Sequence, residues 1–210
     1  MKKILLALLF PIMLLAVSNE NIIAMTWLNG FCKVHPKKPV CLNRKPGDYS
    51  LTHFTVHGLW PKHKEYCSNK PLKLSKYFWK ILQKYMPGAK YGLAKHEWKK
   101  HGTCFGTDPE TYFITAIKFT QQFNETPILQ FFNMHMGQTV TLQRMRWLFG
   151  QVFGKGNIRK FQMICKKGYV TEIRINLKGN PIKEDFYTLI NNADELVGKK
   201  QCEMGIIAFP

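Results

Sequence analysis

Residues 51–57 alternate in side-chain character, and the alternation predicts a strand with Phe54 and Val56 on one face and His53, Thr55 and His57 on the other. The period then changes. Leu74, Phe78, Ile81 and Tyr85 recur at helical spacing and predict a helix over 72–86, stopped by Pro87-Gly88. A short helix over 92–101 ends at Gly102, and Asp108-Pro109 opens another with a cap and a first-turn proline. Its apolar face is Tyr112, Phe113, Ala116, Ile117 and Phe123. Thr126-Pro127 and Thr141 start two more helices, ending near Gly137 and Gly154. The tail returns to period two over 159–165, 169–177 and 205–209, with Thr171, Ile173 and Ile175 sharing a face. No repeat, linker or low-complexity tract interrupts the chain. Helices and antiparallel strands in separate blocks predict one α+β domain, a sheet packed with several helices.

The N-terminus departs from this pattern. Lys2 and Lys3 precede the apolar run Ile4–Val17, which Pro11 interrupts. The run is short for a membrane span and reads as a signal peptide. Small residues allow cleavage after about Ser18 or after Ala24, giving a leader over 1–24 and a domain over 25–210. The cysteines agree with export. Six of them, Cys32, Cys41, Cys67, Cys104, Cys165 and Cys202, suggest three disulfides, which could be joined in 15 ways. No C-x-x-C pair favours zinc.

With 45% hydrophobic and 21% charged residues in 210, the chain has the composition of a globular domain, not of a disordered, collagenous or multi-span protein. Charge adds the first hint of a partner. Thirty-one Lys+Arg face 13 Asp+Glu, a net charge of +18; loss of the leader takes two lysines and leaves +16. Such a surface favours nucleic acid, anionic lipid or acidic polysaccharide. It does not say whether the partner is cut or only held.

Two segments carry candidate chemistry: Phe54 to Pro61, reading F-T-V-H-G-L-W-P, and Lys95 to Cys104, reading K-H-E-W-K-K-H-G-T-C. With the second as a helix at about 100° per residue and His96 at zero, Lys100 falls near about 40°, Glu97 about 100° and His101 about 140°. Trp98 and Lys99 point elsewhere. A zinc-protease motif needs its histidines four apart, whereas these are five apart. No G-x-S-x-G turn supports a serine hydrolase. Two imidazoles, a carboxylate and an ammonium without a metal suit RNA cleavage by its own 2′-hydroxyl. A base takes the 2′-proton, an acid protonates the leaving 5′-oxygen, and a cation stabilises the charged transition state. Histidine suits both proton roles near neutrality. DNA lacks the nucleophile. Taken singly, each residue also has a structural reading, and Glu97 with Lys100 could be a surface pair at spacing three.

The two segments resemble the active-site blocks of the ribonuclease T2 family, the base-nonspecific acid endoribonucleases. Further likeness runs from Trp27 and Phe31-Cys32 through Tyr112-Phe113 to Cys165 and the 170–177 region. The resemblance implies that His57 is the general acid and His101 the general base. It implies that His96 binds the phosphate, that Glu97 and Lys100 polarise it, and that Trp60 offers a stacking face, the alternative being a hydrophobic anchor for its loop. It also implies the pairs Cys32–Cys41, Cys67–Cys104 and Cys165–Cys202. On this reading the protein is an exported, periplasmic or secreted monomer. It cuts single-stranded RNA and not DNA, with low base specificity, through 2′,3′-cyclic phosphates to 3′-phosphates. It needs no cofactor or metal, and its mature chain has no membrane span. The alternative is an inactive cationic protein that binds RNA or another polyanion on the same scaffold.

Three features depart from or complicate the pattern. Lys62 follows the first block where some members carry an acidic or amide residue. Leu93 and Ala94 precede the second where members often have aromatics. Eleven lysines between 62 and 100 face only Glu65 and Glu97, either as a surface that tracks RNA or as a solvated helix face. A lone N-x-T triplet sits at Asn124.

Overall fold

The computed structural model describes residues 16–196, 198 and 201–210, so residues 4–15 of the expected leader's apolar run lie outside the described residues. The first elements among the described residues are β1 (Glu20–Thr26), α1 (Leu28–Val34), α2 (Pro39–Leu42) and β2 (Thr55–Pro61). A helical block follows: α3 (Lys76–Tyr85), α4 (Leu93–Lys100), α5 (Pro109–Asn124) and α6 (Pro127–Met134). Then come β3 (Thr139–Thr141), α7 (Leu142–Phe153), β4 (Phe161–Lys166), β5 (Tyr169–Lys178), α8 (Phe186–Asn192) and β6 (Met204–Ile206). The strand order is β2-β1-β5-β6-β3, with β4 also paired to β5. Pairing is antiparallel except for one parallel bridge between Tyr169 and Ile206. The domain is α+β. Among the described residues, no helix is long and apolar enough to cross a membrane.

The predicted caps behave as their chemistry requires. Asp108 accepts from the Thr111 amide, Thr126 from Ile128 and Thr141 from Arg144. Each satisfies a donor that the first helical turn leaves unpaired. The predicted apolar face of α5 is buried throughout. Phe54 packs against Trp27, Phe123 and Phe132 with ring centroids 5.1, 5.3 and 4.7 Å apart. These contacts tie β2 to the helices.

Several boundaries differ from the sequence reading: the strands expected over 159–165 and 205–209 are Phe161–Lys166 and Met204–Ile206, and two further shifts have a local cause. The strand expected over 51–57 begins at Thr55 and runs to Pro61. Before it, Tyr49–Leu51 form a 3-10 turn, in which the His53 ring stacks on Tyr49 and its Nδ1 contacts the Tyr49 carbonyl and the Thr52 hydroxyl. These local bonds take the place of a ladder. The helix expected over 72–86 starts at Lys76, because the Ser75 hydroxyl accepts from the Phe78 amide and sets the first turn there. Asn124 is not a free sequon side chain. Its amide donates to the Phe54 carbonyl and the Tyr49 hydroxyl and accepts from the Phe54 amide, pinning the start of β2.

All six cysteines are joined as Cys32–Cys41, Cys67–Cys104 and Cys165–Cys202. The second ties the chain beyond β2 to the turn that ends α4.

Candidate active site

His57 sits in β2 at a break in the ladder. Val56 pairs with Met25 and Gly58 with Ala24, so His57 is the extra residue of a β-bulge. A bulge bends its strand and re-aims the side chain it carries. Here the imidazole reaches over β1 to β5, where its Nδ1 hydrogen-bonds Oε2 of Glu172. Glu172 is 7% exposed and also accepts from Nε of Arg174. The sequence reading missed both residues. Their signal was modest: charged side chains at alternate positions of a strand whose other face is Thr171, Ile173 and Ile175.

The other segment is built by α4. Gly92, at φ 98°, turns the chain out of the 3-10 turn Pro87–Tyr91 and starts the helix. That backbone conformation favours glycine. Ala94, Glu97 and Trp98 form its buried arc, so Glu97 shares that arc with Trp98 instead of lying on a solvated face. His101 caps the helix at 7% exposure, while the His96 side chain is 57% exposed at the opposite edge. The polar cluster therefore grades from solvent to interior along the arc expected from the helical wheel.

Glu97 is the hub. At 1% exposure, its Oε2 accepts from the Trp60 indole at 2.7 Å, and its Oε1 lies 3.7 Å from His57 Nε2 and 4.0 Å from His96 Nε2. Gly58 makes this approach possible, because a Cβ there would lie 2.1 Å from Glu97 Oε2. Trp60 stands between the imidazoles, with its ring centroid 5.3 Å from His57 and 5.4 Å from His101. The Arg174 guanidinium lies 4.9 Å from the Trp60 ring centroid. Lys100 lies at the rim, 3.2 Å from the exposed Glu65 carboxylate.

Electrostatics divides half-buried His57 from buried His101. For His57, burial opposes protonation, but the hydrogen bond and charge of Glu172, with Glu97 behind it, outweigh this and raise its pKa above the usual value. For His101, burial and then the Lys100 charge lower it to about 4. Its Nδ1 is buried with no hydrogen-bond partner among the described residues. Burial raises the Glu97 pKa despite His57 and the Trp60 bond. Burial also opposes ionisation of Glu172, but the bond and charge of His57, with Arg174, bring its pKa below the usual range.

The cluster opens into two depressions. His57, His96, Thr55, Leu93 and Glu172 line a groove of about 530 Å³. Trp60, Lys62, Glu65 and His101 line a pocket of about 550 Å³. Lys62 is held 3.5 Å from the Glu20 carboxylate. His57, Trp60, His96, Glu97 and His101 are thus within one neighbourhood, while Lys100 lines neither depression and sits at the rim against Glu65.

A model of the Ribonuclease T2 family matches residues 20–191. Ribonuclease I of Escherichia coli (strain K12) is 26% identical over 205 residues, covering 78% of this chain and 76% of that protein. Ribonuclease DdI of Dictyostelium discoideum is 28% identical over 133 residues, covering 55% and 54% respectively. The crystal structure of the Nicotiana alata self-incompatibility-associated SF11-RNase has the same fold. Its TM-score is 0.62 with 90% of this chain and 98% of that one covered, at 18% identity.

Proposed function

The chain belongs to the ribonuclease T2 family, which implies endoribonuclease activity, and from that premise we propose how its own residues cut RNA. The phosphate to be cleaved sits over Glu97, between His57 and His96 on one side and His101 on the other. Neutral His101 takes the proton of the 2′-hydroxyl. That oxygen attacks phosphorus, the P–O5′ bond breaks, and protonated His57 gives its proton to the departing 5′-oxygen. The products are a 2′,3′-cyclic phosphate and a free 5′-hydroxyl. Water then opens the cyclic ester to a 3′-phosphate with the two proton roles reversed. His96, Lys100 and Glu97 hold and polarise the phosphate as charge builds on its oxygens. Trp60 positions Glu97 and spaces the two imidazoles, a role supported by its indole hydrogen bond and by Arg174 over its ring.

One observation carries this reading. Of the two histidines flanking Trp60, one is biased toward its charged form and the other toward its neutral form. An acid–base pair needs that division at a single working pH.

The six paired cysteines support an oxidising, exported setting. Of the two cleavage points, the one after about Ser18 is supported by the pairing of β1 with both β2 and β5 from Glu20–Asn21 onward. A cut after Ala24 would remove most of that central strand.

Product analysis tests the function. Purified protein is given single-stranded RNA and its 2′-deoxy counterpart, with and without chelator. Cyclic phosphates followed by 3′-phosphates from RNA alone, in both conditions, are expected. RNA bound but uncut would instead favour the binding-only alternative, and loss of cleavage in chelator would overturn the mechanism.

A further inference from the structure

The groove lined by His57 and His96 does not end at those residues. Val40, Pro87 and Tyr91 form part of its wall, and the same three residues line a second, larger depression of about 860 Å³. None of the catalytic cluster reaches this second depression.

Its lining combines cations with flat rings. Arg44, Lys45, Lys84 and Lys90 contribute four positive charges, against the single carboxylate of Asp48. That carboxylate already accepts from the Lys45 amide at 2.7 Å. The Lys84 ammonium lies 5.6 Å from the Tyr49 ring centroid, and Lys90 lies 5.0 Å from that of Tyr91. Tyr49 is stacked on His53 at 4.1 Å. Arg44 bonds Asn29, yet its Nε is buried with no hydrogen-bond partner among the described residues. Positive charge beside aromatic faces is the combination that holds a single nucleic-acid strand, phosphates on the cations and bases on the rings.

The strand's direction follows from the two histidines. The nucleotide that supplies the 2′-hydroxyl lies beside His101, in the pocket with Trp60. The departing nucleotide lies beside His57, in the groove that leads to the second depression. We propose that this depression is an extended subsite for RNA nucleotides on the 3′ side of the departing nucleotide, with Lys84 and Lys90 as its phosphate contacts. The polarity rests on the acid and base roles proposed above. The site itself rests on charge, rings and continuity.

The test uses a dinucleotide, the same dinucleotide extended by two residues at its 3′ end, and the same extended at its 5′ end. In the wild type, 3′ extension is expected to raise kcat/KM roughly tenfold and 5′ extension to change it little. In the Lys84→Ala, Lys90→Ala double variant the dinucleotide is cut as before and the 3′ gain is lost. The slope of log(kcat/KM) against log salt for the 3′-extended substrate falls in magnitude by about 1.4, the value for two phosphate contacts on a single strand. Both lysines are exposed, and matching melting curves check the fold. A second arm measures binding of uncleavable, fully 2′-O-methylated versions, which needs no chemistry. A 3′ binding increment lost in the double variant supports the subsite even if the wild type cuts nothing, and then it is the transphosphorylation reading that fails. An increment that survives the double variant, equal gains from both ends, or no gain from 3′ extension overturns the subsite.

Discussion

His57 and Glu172, 115 residues apart in the chain, meet through a hydrogen bond from the imidazole Nδ1 to the carboxylate Oε2. The β-bulge at His57 turns the ring toward β5, and Arg174 holds the carboxylate from its other oxygen. With Nδ1 committed, Nε2 is the nitrogen left for substrate. On the proposed roles, Glu172 is a positioning residue that keeps His57 oriented and charged.

The pH dependence follows from these directions. The acid works only when protonated, so activity is lost as pH rises through the raised pKa of His57. The base works only when neutral, so activity is lost as pH falls through about 4, the value for His101. A bell with its plateau on the acid side of neutrality is expected. Glu172→Gln removes the carboxylate charge that raises the His57 pKa and should move only the alkaline limb, to lower pH. A Glu172→Gln profile that drops uniformly at every pH would mean that Glu172 does not act through the His57 proton.

Gly58→Ala tests the hub. Its Cβ would meet Glu97 Oε2 at 2.1 Å and the Trp60 indole nitrogen at 2.5 Å. Displacing both by about 1 Å should lower kcat/KM roughly 100-fold. Overpacking should cost about 1–3 kcal/mol of stability. Gly156→Ala, where an added Cβ meets nothing within 4 Å, is the control and should leave both unchanged. Steady-state kinetics beside thermal melts separates the two effects.

Two disulfides of equal span make a second controlled comparison. Cys67–Cys104 and Cys165–Cys202 each close a separation of 37 residues. Chain entropy assigns each about 4 kcal/mol. Replacing either pair by alanine should therefore destabilise the protein by similar amounts in urea titrations. Only the loss of Cys67–Cys104, which ties the end of the His101 turn to the chain beyond Trp60, should lower kcat of the folded fraction. Equal kinetic losses would remove the positional role given to this bond.

Much of the site was legible because its residues lie in two short blocks. Helical geometry alone placed His96, Glu97, Lys100 and His101 along one arc, and two imidazoles there suited RNA cleavage, but the role of each residue came from the family resemblance. Capping side chains at Asp108, Thr126 and Thr141 marked helix starts correctly, since such bonds are local. What escaped was non-local. Residues 22–25 form the middle of the sheet, but in sequence they continue an apolar leader, and Ala24 read as a possible cleavage point. Glu172 and Arg174 carry no motif, and only the pairing of β1 with both β2 and β5 brings them to His57. The bulge that aims His57 is likewise invisible until its partner strand is known. The disulfide pairing came from family resemblance, since spacing left all pairings open.

The central claim is the division of labour between His57 and His101, and leaving-group chemistry tests it most directly. On an RNA dinucleotide, His57→Ala and His101→Ala should each lower kcat about 10²- to 10⁴-fold. A uridine 3′-(p-nitrophenyl phosphate) expels a group that needs no proton. On it, His57→Ala should recover to within about tenfold of the wild type, while His101→Ala stays depressed. If His57→Ala remains as impaired on the activated ester as on RNA, or if His101→Ala is the variant that recovers, His57 is not the general acid.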